Sequence, residues 1–210
     1  MRNLLLSSLL ALTLCACTLG HYGRLRPNAA SGVKPPASIF GDNFNSFLFK
    51  TNIRVYGKDF SGLLVTKQMA PQDYRVIFTT ELGMKLFDFE FKDTAFTLHY
   101  CVPQFNRPKL LNTIREDIRI LLMNDLKEKQ AEQLTDAKGQ YDVFRVSEGK
   151  MYNYYFKEKG TDQLVKIEHS KKHVKKIIFT LNNYENGFPA NILIRHYNIK
   201  LKIELNLLKK

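Results

Sequence analysis

Near its start the chain carries two cysteines in the order Leu14-Cys15-Ala16-Cys17. Before them, Met1-Arg2 supplies a positive charge, and the run from Leu4 to Leu14 is apolar except for small polar residues. A segment this short with a basic start is typical of an export signal, because a membrane-spanning helix needs about 20 apolar residues. A large aliphatic residue three positions before Cys17 and small residues directly before it predict cleavage before Cys17 and acylation of its thiol. The alternative is an ordinary secretory signal with an incidental cysteine.

The other two cysteines are less suited to this chemistry. Cys15 follows the bulky Leu14, which a peptidase pocket for small side chains should reject. Cleavage before Cys17 would discard Cys15 and leave Cys101 without a partner for an internal disulfide. Because Cys101 lies in an apolar run, it is interpreted as a small buried hydrophobic residue.

Length and charge limit the possible roles. The chain has 210 residues and a formal net charge of +12. Residues 1–16 are the predicted signal, residues 17–38 are rich in Gly, Pro, Ser and Ala and predict a flexible tether, and residues 39–210 suit one domain. A basic exported chain rarely meets nucleic acid, so the charge favours anionic lipid headgroups or an acidic protein partner. The domain is expected to be a monomer.

Beyond the tether, the hydropathy pattern is mostly that of strands separated by turn residues. The clearest is 84–91, where Phe87, Phe89 and Phe91 share one face. A helical period over 108–130 predicts one amphipathic helix that begins at Pro108, with Asn124 as a candidate break. The predicted strands are 48–56, 61–68, 74–80, 84–91, 95–102, 141–147, 150–157, 163–169, 173–182, 190–197 and 199–208.

Consecutive strands with short turns predict an antiparallel meander, and a single inserted helix predicts the α+β class. The helix would cover one face of the sheet. The pattern leaves open whether that sheet forms a sandwich or an open barrel.

The sequence contains no enzyme signature. It lacks G-x-S-x-G, G-x-G-x-x-G and H-E-x-x-H. His169 and His173 flank a predicted turn, which is weak support for a metal site, and Asp88 with Glu90 on one strand face are interpreted as solvated acids. We therefore expect neither an enzyme nor a cofactor or metal. The lysines at 171, 172, 175 and 176 predict a soluble hairpin tip, with headgroup contact as the alternative.

Two stretches resemble the family of the outer-membrane lipoprotein receptor LolB. The first is Tyr74-Arg75-Val76-Ile77-Phe78-Thr79-Thr80-Glu81-Leu82-Gly83, which matches a Tyr-Arg, three apolar residues, a Thr and a Leu-Gly loop. The second is Phe188-Pro189-Ala190-Asn191-Ile192-Leu193-Ile194 followed by Ile199-Lys200-Leu201-Lys202-Ile203. The pattern extends over about residues 45–210. This chain departs from the family in having no Trp and in its helical middle.

The resemblance implies an incomplete, open antiparallel β-barrel closed by helix around an apolar cavity. In that family the cavity receives lipoprotein acyl chains from the soluble carrier LolA, and the protein releases them into the outer membrane. Leu82 and Gly83 match the family's protruding, membrane-inserting loop. The expected cavity lining comprises Phe78, Phe87, Phe89, Phe91, Phe96, Phe179, Ile194 and Ile203.

Alternatives remain at each of these sites. The apolar residues would equally form an ordinary core, and Leu82 would equally be a buried turn residue. Thr18, and not Asp, follows Cys17, which is compatible with outer-membrane sorting on the periplasmic side. The second hypothesis keeps the fold but gives it another lipophilic ligand or a protein partner, without lipoprotein transfer; a periplasmic enzyme is the third.

Overall fold

The computed structural model describes Tyr22 and residues 25–41, 44–123, 126, 128–172 and 174–209. Cys17, the residue predicted to be acylated, lies outside the described residues. Among the described residues there are thirteen strands and one α-helix, α1 (Pro108–Leu122). The strands are β1 (Arg26–Val33), β2 (Ser46–Val55), β3 (Lys58–Ala70), β4 (Asp73–Thr79), β5 (Lys85–Lys92), β6 (Ala95–Cys101), β7 (Ala131–Thr135), β8 (Tyr141–Glu148), β9 (Met151–Glu158), β10 (Leu164–Lys171), β11 (Val174–Glu185), β12 (Phe188–His196) and β13 (Leu201–Lys209).

All thirteen strands belong to one antiparallel sheet with the order β1-β7-β8-β9-β10-β11-β12-β13-β2-β3-β4-β5-β6. The sheet consists of two meanders, β2 to β6 and β7 to β13, with β1 added at the edge of the second. They are joined where β13 pairs with β2, with Leu201 opposite Val55 and Leu205 opposite Thr51. Because β1 and β6 are the two ends of the order, the sheet is open.

The inward face of the sheet is set by period-2 alternation of apolar side chains. Along β2 the buried positions are Phe47, Phe49, Thr51, Ile53 and Val55, and the residues between them are exposed or partly buried. The same alternation along the other strands gives one main apolar core.

Helix α1 packs its apolar stripe against this core. It begins at Pro108 after an extended Arg107, as the sequence predicts, and buries Leu110, Ile114 and Leu121. It ends at Leu122, before Met123, whose φ of 54° is left-handed, so it is shorter than the predicted range 108–130. An open antiparallel barrel with one covering helix is the fold that the sequence analysis expected.

The segment predicted as a tether is structured in part. β1 lies within residues 17–38 and pairs with β7, which the sequence analysis also missed. Pro27 is tolerated because β1 is an edge strand, where one side of the backbone needs no ladder hydrogen bond. Before β1, Tyr22 packs on the outer face of the sheet in a small second cluster. The tether prediction therefore does not describe Tyr22 or β1.

No helix of the described residues combines the length and apolarity that crossing a bilayer requires.

Candidate functional site

A cavity of about 610 Å³ opens where the β5–β6 hairpin faces β8, β9 and β10 across α1. Its apolar wall includes Phe91, Phe96, Leu122 and Met151. The remaining lining residues are polar or small: Asp93, Thr94, Ala95, Arg115, Glu116, Arg119, Lys129, Glu148 and His169. We call this space the helix cavity.

Two of the eight residues predicted to line a cavity do so. Phe91 and Phe96 line the helix cavity, with ring centroids 5.3 Å apart. The other six, Phe78, Phe87, Phe89, Phe179, Ile194 and Ile203, are packed in the main core and line none of the principal cavities among the described residues.

The physical reason is that α1 and the segment before it fill the interior. Phe105 lies 1% exposed between β6 and α1, and its ring centroid is 5.9 Å from that of Phe87 and 6.4 Å from that of Phe78. Phe87 in turn stacks on Phe89 at 4.4 Å. Strand alternation correctly indicates which side chains point inward, but the space they face is occupied by protein.

The polar wall of the helix cavity is a network of ion pairs. Arg119 contacts Glu116 at 2.7 Å and Glu148 at 2.6 Å, and Lys129 lies 3.5 Å from Glu148. One turn before Arg119, the guanidinium of Arg115 lies 5.0 Å from the centroid of the Phe96 ring. The cavity therefore offers an aromatic wall and a charged wall to the same ligand.

These charged residues do not stand out in the sequence as a site. Arg115 and Arg119 are four residues apart and so lie on the same face of α1. That four-residue spacing is the feature of the sequence that indicates a shared helix face. What it could not indicate is that Glu148, at the end of β8, meets this helix face.

A second cavity of about 430 Å³ shares Glu116, Met151 and His169 with the helix cavity. Nδ1 of His169 lies 2.7 Å from Oδ1 of Asn153, and burial lowers the pKa of this histidine. His173, its suggested partner for a metal, is outside the described residues. His169 is thus a buried, hydrogen-bonded group at the boundary between the two cavities.

The β4–β5 loop projects Leu82 into solvent. Leu82 is 98% exposed, and the neighbouring Met84 is 62% exposed. The loop is held by hydrogen bonds across its base: the amide of Thr80 donates to the carbonyl of Met84 at 2.8 Å, and the amide of Gly83 donates to the carbonyl of Thr80 at 3.0 Å. Gly83 has a φ of 84°, which a side chain would disfavour. Leu82 is thus an exposed apolar residue on an ordered turn.

The sequence predicts solvated carboxylates at Asp88 and Glu90, but Asp88 is buried. Its side chain is only 2% exposed and lies under Arg75 and Lys85. Burial alone would raise the pKa of Asp88, yet the hydrogen bonds from Arg75 and Lys85 hold it below its usual value. The carboxylate is therefore part of an ion-paired cluster on the sheet.

No family model matches this chain, and no curated protein matches it in sequence. Solved structures share its fold. A LolA superfamily protein from Nitrosomonas europaea superimposes with a TM-score of 0.53 at 9% identity, over 80% of this chain and 87% of that one. A domain from Vibrio parahaemolyticus named for outer membrane lipoprotein sorting aligns with a TM-score of 0.48 at 9% identity, over 80% and 85% of the two chains. The first of these confirms the expected LolA-like open barrel.

Proposed function

We propose that this protein is a lipoprotein of the outer membrane, anchored through acylated Cys17 and facing the periplasm. In this role it accepts lipoprotein acyl chains from a LolA-like carrier and delivers them to the membrane. The observation that carries the proposal is the exposure of Leu82 on an ordered loop of a LolA-like barrel. A large apolar residue with 98% of its surface in water has no role in packing this domain, and an apolar environment outside the domain would favour it.

The energetics of acyl transfer agree with a membrane-anchored acceptor. Each methylene moved from water to an apolar site gains about 0.8 kcal/mol, so an acyl chain would not pass through free solution. Transfer has to proceed from cavity to cavity and then to the bilayer. Leu82 would contribute only about 0.5 kcal/mol by insertion, so Cys17 would supply the anchor and Leu82 would act locally on lipid.

The helix cavity is the candidate acceptor site. At about 610 Å³ it falls within the size range of small-molecule sites. Phe91, Phe96 and Leu122 offer an apolar surface along one side for an acyl chain. Because the remaining interior is packed, an acceptor role for several chains would require α1 to move away from the sheet.

The ion pairs of Arg119 and Glu148 favour a second candidate function. A site with one aromatic and one charged wall also suits an amphiphile with a polar headgroup. The protein would then bind that lipophilic ligand without accepting lipoproteins.

Acceptance can be tested with the mature chain, residues 17–210, carrying Cys17→Ser so that no acyl group is present. This chain is mixed with a LolA-like carrier loaded with a labelled lipoprotein, and the label is followed by pull-down. We expect the label to move onto the chain, and we expect Met151→Trp, at the wall shared by both cavities, to reduce this transfer. Lys150→Trp adds the same side chain one residue away on an exposed turn and should leave transfer unchanged.

The two candidate functions give different results. The amphiphile-binding function is correct if the label stays on the carrier, a free fatty acid still binds the chain, and the Met151→Trp variant loses that binding. Failure of both kinds of binding would contradict any role for the helix cavity.

A further inference from the structure

Five hairpin turns lie at the same end of the sheet. In an antiparallel meander successive turns alternate between the two ends, and the β13–β2 pairing sets the register between the two meanders. The turns β2–β3, β4–β5, β8–β9, β10–β11 and β12–β13 therefore form one rim, and the Leu82 loop is part of it.

Backbone contacts make part of this rim continuous. The amide of Tyr56, in the β2–β3 turn, donates to the carbonyl of Lys200 in the β12–β13 turn at 2.9 Å. The amide of Tyr197, in that same turn, donates to the carbonyl of Lys176 on β11 at 2.9 Å. Nζ of Lys175 lies 5.9 Å from the centroid of the Tyr197 ring. Three neighbouring turns thus form one surface.

The two ends of the sheet differ in charge. Each turn of this rim has an exposed lysine in it or directly beside it: Lys58, Lys85, Lys150, Lys171 with Lys172, and Lys200. Each turn at the opposite end has an acidic residue in the same kind of position: Asp73, Asp93, Asp136, Asp162 and Glu185. We call the first end the lysine rim. Opposite charges occur at both ends: Glu81 and Glu148 lie in or beside turns of the rim, and Lys92, Lys138 and Lys159 lie in or beside the opposite turns. The lysine rim is therefore the more basic end by net charge.

The lysine rim also carries exposed apolar side chains. Four of its five turns expose one: Tyr56 (53% exposed), Leu82 and Met84 in the same turn (98% and 62%), Val174 (58%) and Tyr197 (57%). Lysines interleaved with Tyr, Leu and Met are the combination that binds a bilayer surface, since the cations attract anionic headgroups and the apolar groups enter the interface. An acidic protein partner would explain the lysines but would leave Leu82 at the loop tip unexplained.

We propose that the lysine rim is a docking surface for a bilayer that contains anionic phospholipid. This inference deepens the membrane role proposed for Leu82 and rests on it. It assigns the surface that meets the membrane, the chemistry of the lipid, and the orientation of the domain with its acidic end away from the bilayer.

The position of Tyr22 fits this arrangement. Tyr22 is 7% exposed and stacks on Tyr154 of β9 at 4.5 Å. Only four residues separate it from Cys17, so the two are within about 17 Å of each other even in fully extended chain. An acyl group on Cys17 would therefore hold the domain close to the bilayer, where even weak contacts of the lysine rim are effective.

The test measures binding of the unacylated mature chain (Cys17→Ser) to vesicles by co-sedimentation at low ionic strength. One set of vesicles is phosphatidylcholine and the other contains phosphatidylglycerol as well. We expect the chain to prefer the anionic vesicles and to dissociate at high salt, which screens exposed charges. The triple variant Lys171→Gln/Lys172→Gln/Lys200→Gln should weaken partitioning about 100-fold, since each lysine near the surface contributes about a factor of five.

A matched control is available at the opposite end. The triple variant Lys92→Gln/Lys138→Gln/Lys159→Gln removes the same charge from exposed turns there and should leave partitioning nearly unchanged. Equal losses in the two triple variants, or equal binding to both vesicle types, would overturn the proposal. Carrier-to-chain transfer in solution needs no bilayer, so the rim variant should still accept the label; this separates failure of the docking surface from failure of the proposed function.

Discussion

Nε2 of His196 lies 2.9 Å from Oδ2 of Asp117, and neither side chain has any exposed surface. The contact joins α1 to β12, and the two residues are 79 positions apart in sequence. It is therefore a buried polar link between the covering helix and the sheet. A movement of α1 away from β12 would break it.

We expect Asp117→Ala to lower the free energy of unfolding by about 3–5 kcal/mol, because the change leaves His196 buried without its partner. The measurement is chemical denaturation of the mature chain. Glu116→Ala is the matched control: its carboxylate pairs with Arg119 at a partly exposed position and should cost less than about 1 kcal/mol. A similar loss in both variants would show that the buried pair has no special role.

The same carboxyl predicts a pH dependence. Burial raises the pKa of Asp117 to about 6, although the hydrogen bond from His196 acts in the opposite direction. In the unfolded chain this group releases its proton near pH 4. Between about pH 4 and pH 6 the folded state therefore binds more protons, so the contribution of Asp117 to stability falls as the pH rises and levels off above 6.

Asp117→Asn removes this titration. We expect the difference in unfolding free energy between the original chain and the Asn variant to change between about pH 4 and pH 6. Below about pH 4 this difference should be constant. Denaturation curves at a series of pH values measure this difference directly. A difference that is flat from pH 4 to pH 6 would contradict the raised pKa.

The strand pattern was largely predictable because alternation is a local property of the sequence. The range 84–91 corresponds to β5 at Lys85–Lys92, and 199–208 corresponds to β13 at Leu201–Lys209. β1 and β7 were missed because neither has a clear apolar alternation. β1 pairs only with β7, about 100 residues away, and β7 lies between β1 and β8. Such pairing leaves little trace in the local sequence.

The site was less predictable than the fold. Alternation indicates that Phe78, Phe87 and Phe89 point inward, but it does not say whether a cavity or protein atoms lie opposite them. That depends on how α1 and Phe105 pack, which is a property of the tertiary structure. The exposure of Leu82 agrees with the loop expected from the family resemblance and contradicts the alternative of a buried turn residue.

Gly62 of β3 is required by the close approach of β4 at the base of the Leu82 loop. A Cβ on Gly62 would lie 1.8 Å from the carbonyl oxygen of Thr79, so the backbone would have to move. We expect Gly62→Ala to lower the free energy of unfolding by about 1–3 kcal/mol, the usual cost of overpacking. Ser61→Ala, at the exposed neighbouring position, should change it by less than about 0.5 kcal/mol. Equal stability of the two variants in urea would rule out this steric role.

Leu82→Glu tests the loop itself. Because Leu82 is almost fully exposed, the substitution should leave the melting temperature unchanged. It should also leave acceptance from the carrier unchanged, since Leu82 does not line the helix cavity. Delivery from the protein to vesicles should slow several-fold, because a carboxylate opposes entry into the apolar part of the bilayer.

Met69→Glu is the matched control for this variant. Met69 is 58% exposed and lies near the β3–β4 turn, at the end of the sheet opposite the lysine rim. Delivery should proceed at the original rate in this variant. Equal delivery rates for Leu82→Glu, Met69→Glu and the original chain would contradict a membrane role for the loop and would leave Leu82 without a function in delivery.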